Sequence, residues 1–486
     1  MGALRKSFLS NLLLLIGINL LIKPFYLLVI EAQVQERMGP EVFGIYFALL
    51  NISYILNILP DLGITNWNNR HVAREALIHE SELKQLLRIR IILGVIYLVV
   101  CFGLAFLLRY DEKTTFLLLV LAFNQVLSTG VLFLRSYLSG MHAFGYDRLV
   151  SILDRLLLIA ILGVALLTIS ADALFPIEML IYSQTVAYGV TLAVAATLVW
   201  RIKKNEPRSK PLASQSILVS SLPFAALILF SMISGRIDGV LLERMGGSFE
   251  AGIYAMAFRL GDMLSMIAYL FAVLLLPMFS RLLANHENTA ELFSIAFRLL
   301  ITGCAWVCAL CLFQSQQILA MLYTNHVAEA ARVLPFTMAA AALFSLQYTT
   351  GTLLTAGGKM KQLIALSFVA LCINIAINIA YIPGKGSAGA AQAALLTQGF
   401  VFLVQAIMTH KLYKVWTVDL AVRSLVFTAA VFAGAYLFVD SNSPIMFSAL
   451  VITSLAIGFG VLLKMIPARD IKKLIGPTPL ESRRDS

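Results

Sequence analysis

The chain has 486 residues, 60% of them hydrophobic and 13% charged, with a mean hydropathy of +0.87. Soluble domains run near about 45–50% apolar and about 25% charged, so the composition excludes a soluble globular protein and points to a membrane protein. The net charge of +11 would suit nucleic acid in a soluble chain, but here it sorts by membrane side, and a nucleic-acid partner is excluded.

A window of roughly 20 apolar residues, the length that crosses a hydrocarbon core of about 30 Å, finds fourteen candidate spans. They fall near 8–30, 43–64, 91–108, 116–138, 149–169, 177–199, 216–239, 252–278, 294–313, 333–356, 362–382, 389–409, 420–439 and 445–463. No connection between them is long enough for a soluble catalytic domain. Arg5 and Lys6 precede the first apolar run, which is long for a signal peptide and is expected to be retained as a span. With the N-terminus in the cytoplasm, Arg37, Arg109, Lys113, Arg244, Arg332 and Lys385 fall on the far side and Lys23, Arg236 and Arg259 within spans; the remaining 28 of 37 basic residues lie on or near the cytoplasmic side. That bias places both termini in the cytoplasm.

In chain order, Asn19, Lys23 and Tyr26 share one face of span one, and Pro24 interrupts its hydrogen-bond ladder. Span two carries Asn51, Tyr54, Asn57 and Asp61 as a polar stripe, suited either to a cavity wall or to interhelical hydrogen bonds. Residues 66–88 read as an interfacial amphipathic helix. Span four has Asn124, Ser128 and Arg135 on one face, and span five opens with Asp154 and Arg155, where charges at headgroup level are ordinary. The polar run RIKKNEPRSKP, Arg201 to Pro211, breaks the chain near its middle.

Beyond it, Arg236 and Asp238 sit near the outer end of span seven, and Arg259, Asp262, Met266 and Tyr269 share one face of span eight. Polar residues continue in span ten with Gln347, span eleven with Asn374 and Asn378, and span twelve with Gln392, Gln398 and Gln405. Cys304, Cys308 and Cys311 share a face without a nearby His and read as packing residues. Spans thirteen and fourteen are nearly featureless and read as an appended pair.

The chain also repeats itself. Glu36-Arg37-Met38-Gly39 recurs as Glu243-Arg244-Met245-Gly246, and Gly44-Ile45-Tyr46 as Gly252-Ile253-Tyr254, displaced by one inserted residue. This duplication predicts a first unit over 1–200, a cytoplasmic linker over 201–213, a second unit over 214–415, and helices thirteen and fourteen with a basic tail over 416–486. Arg259 and Asp262 stand where the first copy has Asn51 and Tyr54. The asymmetry directs attention to them.

A charge near the bilayer centre costs at least about 2.5–3.5 kcal/mol. Lys23, Arg236 and Arg259 therefore need a reason, either ion pairing with Asp238 and Asp262 or an anionic ligand that completes their neutralisation. Arg meets phosphate through a planar fork and Lys as a point charge, so a phosphate or pyrophosphate group suits the set. Asp61, Asp238 and Asp262 are candidates for ion coupling or charge balance, and Asn57, Asn124, Gln347, Asn374 and Asn378 for a polar cavity lining. Gly357 to Met360, GGKM, lacks the spacing of a phosphate loop. Neither a hydrolase site nor a metal or cofactor site is expected.

The segments GPEVFGIYFALLNISYILNILPDLGI and GRIDGVLLERMGGSFEAGIYAMAFRLGD, with fourteen spans and a half-length repeat, resemble the Wzx-type polysaccharide-biosynthesis flippases of the MOP (MATE-like) exporter superfamily. The resemblance implies two six-helix lobes related by pseudo-symmetry around a cavity that opens alternately to each side, plus a C-terminal helix pair. It implies a substrate made of an oligosaccharide on an undecaprenyl pyrophosphate carrier, an H+ or Na+ gradient, contact with polysaccharide polymerase machinery and no enzymatic activity. Lys23, Arg236 and Arg259 match the family's cationic cavity residues by type. A multidrug or metabolite antiporter of the same fold and a membrane glycan polymerase or transferase are the alternatives.

Overall fold

The computed structural model describes residues 17–466 apart from 20, 66, 69–71, 73–79, 142, 171–172, 203–213 and 441–442, and over 214–227 the backbone alone. The expected linker beyond Ile202, the basic tail and most of 66–79 lie outside the described residues. After a π-helical turn over Tyr26–Glu31, the described helices are α1 (Ala32–Ile55), α2 (Glu80–Leu107), α3 (Glu112–Gly140), α4 (Phe144–Thr168), α5 (Ile177–Ile202), α6 (Ser214–Gly246), α7 (Ser248–Ala284), α8 (Ala290–Phe313), α9 (Ser315–Ala320), α10 (Val327–Ala356), α11 (Met360–Tyr413), α12 (Val418–Phe438) and α13 (Ile445–Leu462). Among the described residues, eleven helices are long and apolar enough to cross a membrane. The chain is an all-helical multi-pass membrane protein.

Two of these eleven, Gly17–Ile55 and Met360–Tyr413, contain a break. In the first, Gly39 has φ 75° and ψ 161°, a left-handed conformation that costs glycine little. Pro40 then begins a new helical run, a position where its missing N–H is no loss. The connection after the first span is thus a single-residue turn. In α11 the break is at Gly386, three residues after Pro383.

Two expectations need correction. The helix expected over 43–64 stops at Ile55, because residues Leu56–Gly63 form hydrogen-bonded turns in which Asp61 accepts from Gly63 N and Thr65 N, both at 3.2 Å. Asn57 and Asp61 therefore do not continue the stripe of Asn51 and Tyr54. The expectation for 66–88 also fails over its second half: Glu80 onward is the start of α2, and Leu83 and Leu86 are fully buried in protein with Phe133, Tyr137 and Val150.

The chain divides into two compact units. One comprises Met1–Met256 with Leu322–Asn325 and Ser367–Ala390, the other Ala257–Met321, His326–Leu366 and Ala391–Ser486. Within lipid, apolar burial gives helices little reason to associate, so close packing and interhelical hydrogen bonds carry the load. In the first unit Phe133 meets Tyr137 edge-on at 5.3 Å. Arg37 donates to the last carbonyls of α4, Leu166 O at 2.8 Å and Ile169 O at 3.2 Å, satisfying acceptors a helix end leaves open. In the second unit Phe293, Phe297 and Trp416 form one aromatic cluster. There α12 and α13 pack on α8 through Phe427, Val431, Ile452 and Ala305, and Trp306 Nε1 donates to Thr453 at 3.0 Å.

The repeated motif makes reciprocal contacts inside the first unit. Counted back from Gly-Ile-Tyr, Gly39 and Gly247 both stand five residues upstream, and both have positive φ, 75° and 93°. The inserted residue therefore lies before the turn. A Cβ on Gly44 would overlap the Ser248 carbonyl, and one on Gly252 the Pro40 carbonyl. Ser248 and Pro40 each stand four residues before the motif glycine of their own copy, so each copy lays its glycine on the other's turn. Tyr46 and Tyr254, two residues on, are both 1% exposed.

Candidate functional site

Pro24 removes one backbone donor, and the following residues Tyr26–Glu31 take up the wider π spacing, a local re-aiming common where helices carry function. The face of the first helix bearing Asn19, Lys23 and Tyr26 meets α4: Asn19 Nδ2 donates to Ser151 Oγ at 3.3 Å, and the Arg155 guanidinium lies 5.1 Å from the Tyr26 ring centroid. Lys23 opens onto a cavity of about 140 Å³ that it shares with Ser128 and Arg135 of α3, Ser151, Asp154 and Arg155 of α4, and Tyr188 of α5.

The charges of this cavity are unequal. Three cationic side chains and one carboxylate line it. Arg135 is engaged from outside the cavity by Asp147, Nε to Oδ1 at 2.7 Å and Nη2 to Oδ2 at 3.4 Å. Arg155 pairs loosely with Asp154 at 3.9 Å, while Asp154 Oδ1 also accepts from Arg155 N at 2.8 Å. Lys23 has Arg155, Asp154 and Arg135 as its charged neighbours and, among the described residues, no carboxylate within 4.0 Å. Two serine hydroxyls and a tyrosine stand beside them. Such a set can take a compact anion with several acceptor oxygens.

The structure gathers a second group of expected site residues elsewhere in the first unit. Asp238, 3% exposed on α6, accepts at Oδ1 from Asn374 Nδ2 at 2.9 Å and Asn378 Nδ2 at 2.7 Å. Asn378 Oδ1 is buried without a hydrogen-bond partner, as are both amide atoms of Asn51. Arg236, two residues before Asp238, lies 5.3 Å from the Tyr54 ring centroid.

The other expected residues are distributed. Asp61 pairs with the buried Arg90, which lies 4.8 Å from the Phe133 ring centroid. Asn57 donates to Gln125 at 3.3 Å, and Asn124 donates to Ile181 O at 3.0 Å and accepts from Thr185 at 2.7 Å. In the second unit Gln347 donates to Gln398 Oε1 at 2.8 Å. Arg259 is 6% exposed on α7, with Asp262 one turn on and near Tyr348, whose ring meets Tyr269 at 5.9 Å. Lys23 and Arg236 thus belong to the first unit, in different surroundings, and Arg259 to the second.

Sequence reasoning missed Arg135 and Arg155 as cavity residues and Arg90 as the partner of Asp61. Arg135 was visible as a charge on the polar face of span four. The cavity beside it was not.

This bundle of apolar helices, with charged groups turned into protein and a basic cavity, has the fold of the MOP-superfamily transporters. The lipid II flippase MurJ, in an inward closed conformation, matches with a TM-score of 0.65 over 93% of this chain and 98% of its own, at 13% identity. An inward-facing MATE-family multidrug resistance transporter matches at 0.59 over 80% and 96%, with 14% identity. A transporter of the superfamily from Pyrococcus furiosus, described as having a binding pocket of reverse polarity, matches at 0.56 over 82% and 94%, also with 14% identity. An uncharacterised membrane protein of Methanocaldococcus jannaschii is 24% identical over 391 residues, 76% of this chain and 89% of its own. The chain belongs to the polysaccharide biosynthesis protein family, which matches residues 8–283.

Proposed function

We propose that this protein is a flippase that carries an undecaprenyl-pyrophosphate-linked oligosaccharide from the cytoplasmic to the periplasmic leaflet of the bacterial inner membrane, for surface polysaccharide biosynthesis. The observation that carries the reading is the cavity at Lys23, where three cations face one carboxylate among apolar spans. A diphosphate supplies the missing negative charge, and its oxygens accept from Lys23, Arg155 and the hydroxyls nearby. An organic cation would meet net repulsion there. Arg236 and Arg259 serve the same headgroup at other stages of an alternating-access cycle of two six-helix lobes, 1–200 and 214–415, with both termini in the cytoplasm.

Asp238 is the coupling group in this reading. Its buried carboxylate between two asparagines, with one amide oxygen left over, suits a proton or Na+, since burying an uncompensated charge is costly. The polymerase machinery that consumes the flipped unit is the expected partner.

The test is the lipid-linked saccharide that accumulates when the protein is lost, and its recovery by variants made at normal levels. A hydrogen bond to a charged group is worth about 1.5–3 kcal/mol, so Lys23→Ala and Arg155→Ala should each weaken diphosphate binding about 10- to 100-fold. Export at the normal rate in Lys23→Ala, Arg155→Ala and Arg259→Ala refutes the cationic site. Accumulation of polymer-length rather than single-unit lipid-linked saccharide refutes the flippase.

A further inference from the structure

Residues Leu322–Asn325 form a four-residue piece of the first unit whose flanks on both sides, Met321 and His326, belong to the second. Four residues of a strand of chain do not attach themselves; something in the first unit holds them. One carboxylate and one amide, side by side, hold them, along with the buried ring of Tyr323, a residue 2% exposed. Glu36 Oε1 accepts from Thr324 N at 3.2 Å, from Asn325 N at 3.0 Å, from Asn325 Nδ2 at 2.7 Å and from the Thr324 hydroxyl. Gln35 Oε1 accepts from the Tyr323 hydroxyl at 3.1 Å, and its Nε2 donates to Gly252 O at 3.2 Å.

We propose that Glu36 and Gln35 are a releasable latch, which holds Leu322–Asn325 to the first unit at one stage of the transport cycle and lets the segment go at another. The proposal rests on the transport reading above. Three features favour a latch over a permanent brace. Four donors converge on a single half-buried carboxylate oxygen, so the contact is lost or made as a whole. The Thr324 and Asn325 groups that meet Glu36 belong to exposed residues, so release hands them to water, which can satisfy them. The carboxylate also stands three residues before the Gly39 turn, and Gln35 bonds the backbone at Gly252 of the second repeat, so the latch touches the point where both copies of the motif change direction.

Hydrogen exchange of the full-length protein in nanodiscs reads this directly, because the Thr324 and Asn325 amides are two of the four donors. Loss of a charged acceptor predicts at least about tenfold faster exchange at 324–325 in Glu36→Ala, a smaller rise in Glu36→Gln and in Asn325→Ala, and no change in Glu41→Gln at an exposed neighbour. Exchange at Asn374 and Asn378, elsewhere in the same unit, should stay as in the parent. Unchanged exchange at 324–325 in Glu36→Ala and Asn325→Ala overturns the proposal. So does a uniform increase across the helices, which marks a static brace.

A second arm adds undecaprenyl diphosphate to the nanodiscs. If transport opens the latch, its addition should raise exchange at 324–325 in the parent and slow it at 150–156 beside the cavity. Faster exchange at 324–325 in Glu36→Ala with no response to the lipid at either place leaves the latch standing and refutes the substrate. A response at 150–156 alone refutes the latch as a moving part.

Discussion

Asp61 is the residue for which a structural and a functional role give opposite experimental results. Its carboxylate pairs with Arg90, accepts from the Thr65 hydroxyl, and accepts from the backbone of Gly63 and Thr65 at 3.2 Å. Arg90 is 7% exposed and otherwise touches Thr65 Oγ1 at 3.3 Å and the Phe133 ring. Removing Asp61 strands a buried cation, which costs about 3–5 kcal/mol. Of the two freed backbone donors, that of the half-buried Thr65 can turn to water, while that of the buried Gly63 adds to the loss. Asp61→Ala should therefore lower the unfolding free energy by about 3–5 kcal/mol, measured by denaturant titration of the detergent-solubilised protein. Replacing the pair together, Asp61→Asn with Arg90→Met, removes the stranded charge and should recover at least about half of that loss. A normal unfolding free energy in Asp61→Ala with transport abolished would refute the structural assignment and return Asp61 to the coupling ion. A double variant no more stable than Asp61→Ala would show that the stranded charge is not the cause.

Gly44→Ala and Gly252→Ala should each destabilise by about 1–3 kcal/mol or more, because the clashing atoms are backbone carbonyls that cannot rotate away; Gly103→Ala in α2, with no atom within 4 Å of the added Cβ, should be neutral or stabilise by up to about 1 kcal/mol, and thermal melts of the three decide it. Asn374→Ala and Asn378→Ala each remove one donor from Asp238 and should shift the pH or Na+ dependence of transport while leaving diphosphate binding to the cavity unchanged, as measured in separate flux and binding assays. Arg155→Lys should bind diphosphate less tightly than the parent but more tightly than Arg155→Ala, since an ammonium keeps the charge and loses the fork; equal binding by all three would remove Arg155 from the site. Tyr110, between α2 and α3, donates to Glu243 at 3.1 Å with the Arg244 guanidinium 3.7 Å from its ring centroid, and burial holds its hydroxyl well above the ordinary tyrosine range. Tyr110→Phe should then lose about 0.5–1.5 kcal/mol, the net worth of a typical hydrogen bond, with no new pH dependence between pH 6 and pH 10 in melting experiments.

Hydropathy made the spans legible because a lipid-facing residue is tested singly, against the bilayer. The repeat was legible as a repeat, but it aligned Gly39 with Gly246, whereas the positive φ of the second copy falls at Gly247, because sequence identity does not show on which side of the turn the inserted residue lies. Partners were another matter. Asn374 and Asn378 are visibly one helical face, but the carboxylate they serve is 136 residues away, and nothing in either segment names the other. Asp61 looked like the fourth member of a helical stripe because periodicity cannot register the turn that ends α1 at Ile55. Asp154 and Arg155 looked like headgroup charges, since depth in the bilayer and depth in the protein leave the same local pattern. Glu36 carried no signal at all beyond membership of the repeat.

The borrowed segments have a consequence for how the chain is made. Asp238 emerges from the ribosome long before Asn374 and Asn378, and Glu250 waits for the Ser387 N–H, which it accepts at 2.7 Å. The first unit includes Ser367–Ala390, so it remains incomplete until about four-fifths of the chain has been synthesised. Until then a carboxylate destined for burial has no amides to receive it. Assembly of this unit therefore extends over most of the time the chain takes to be made, and a chain ended within the central polar run at Arg201 to Pro211 would lack both the carboxylate and its partners.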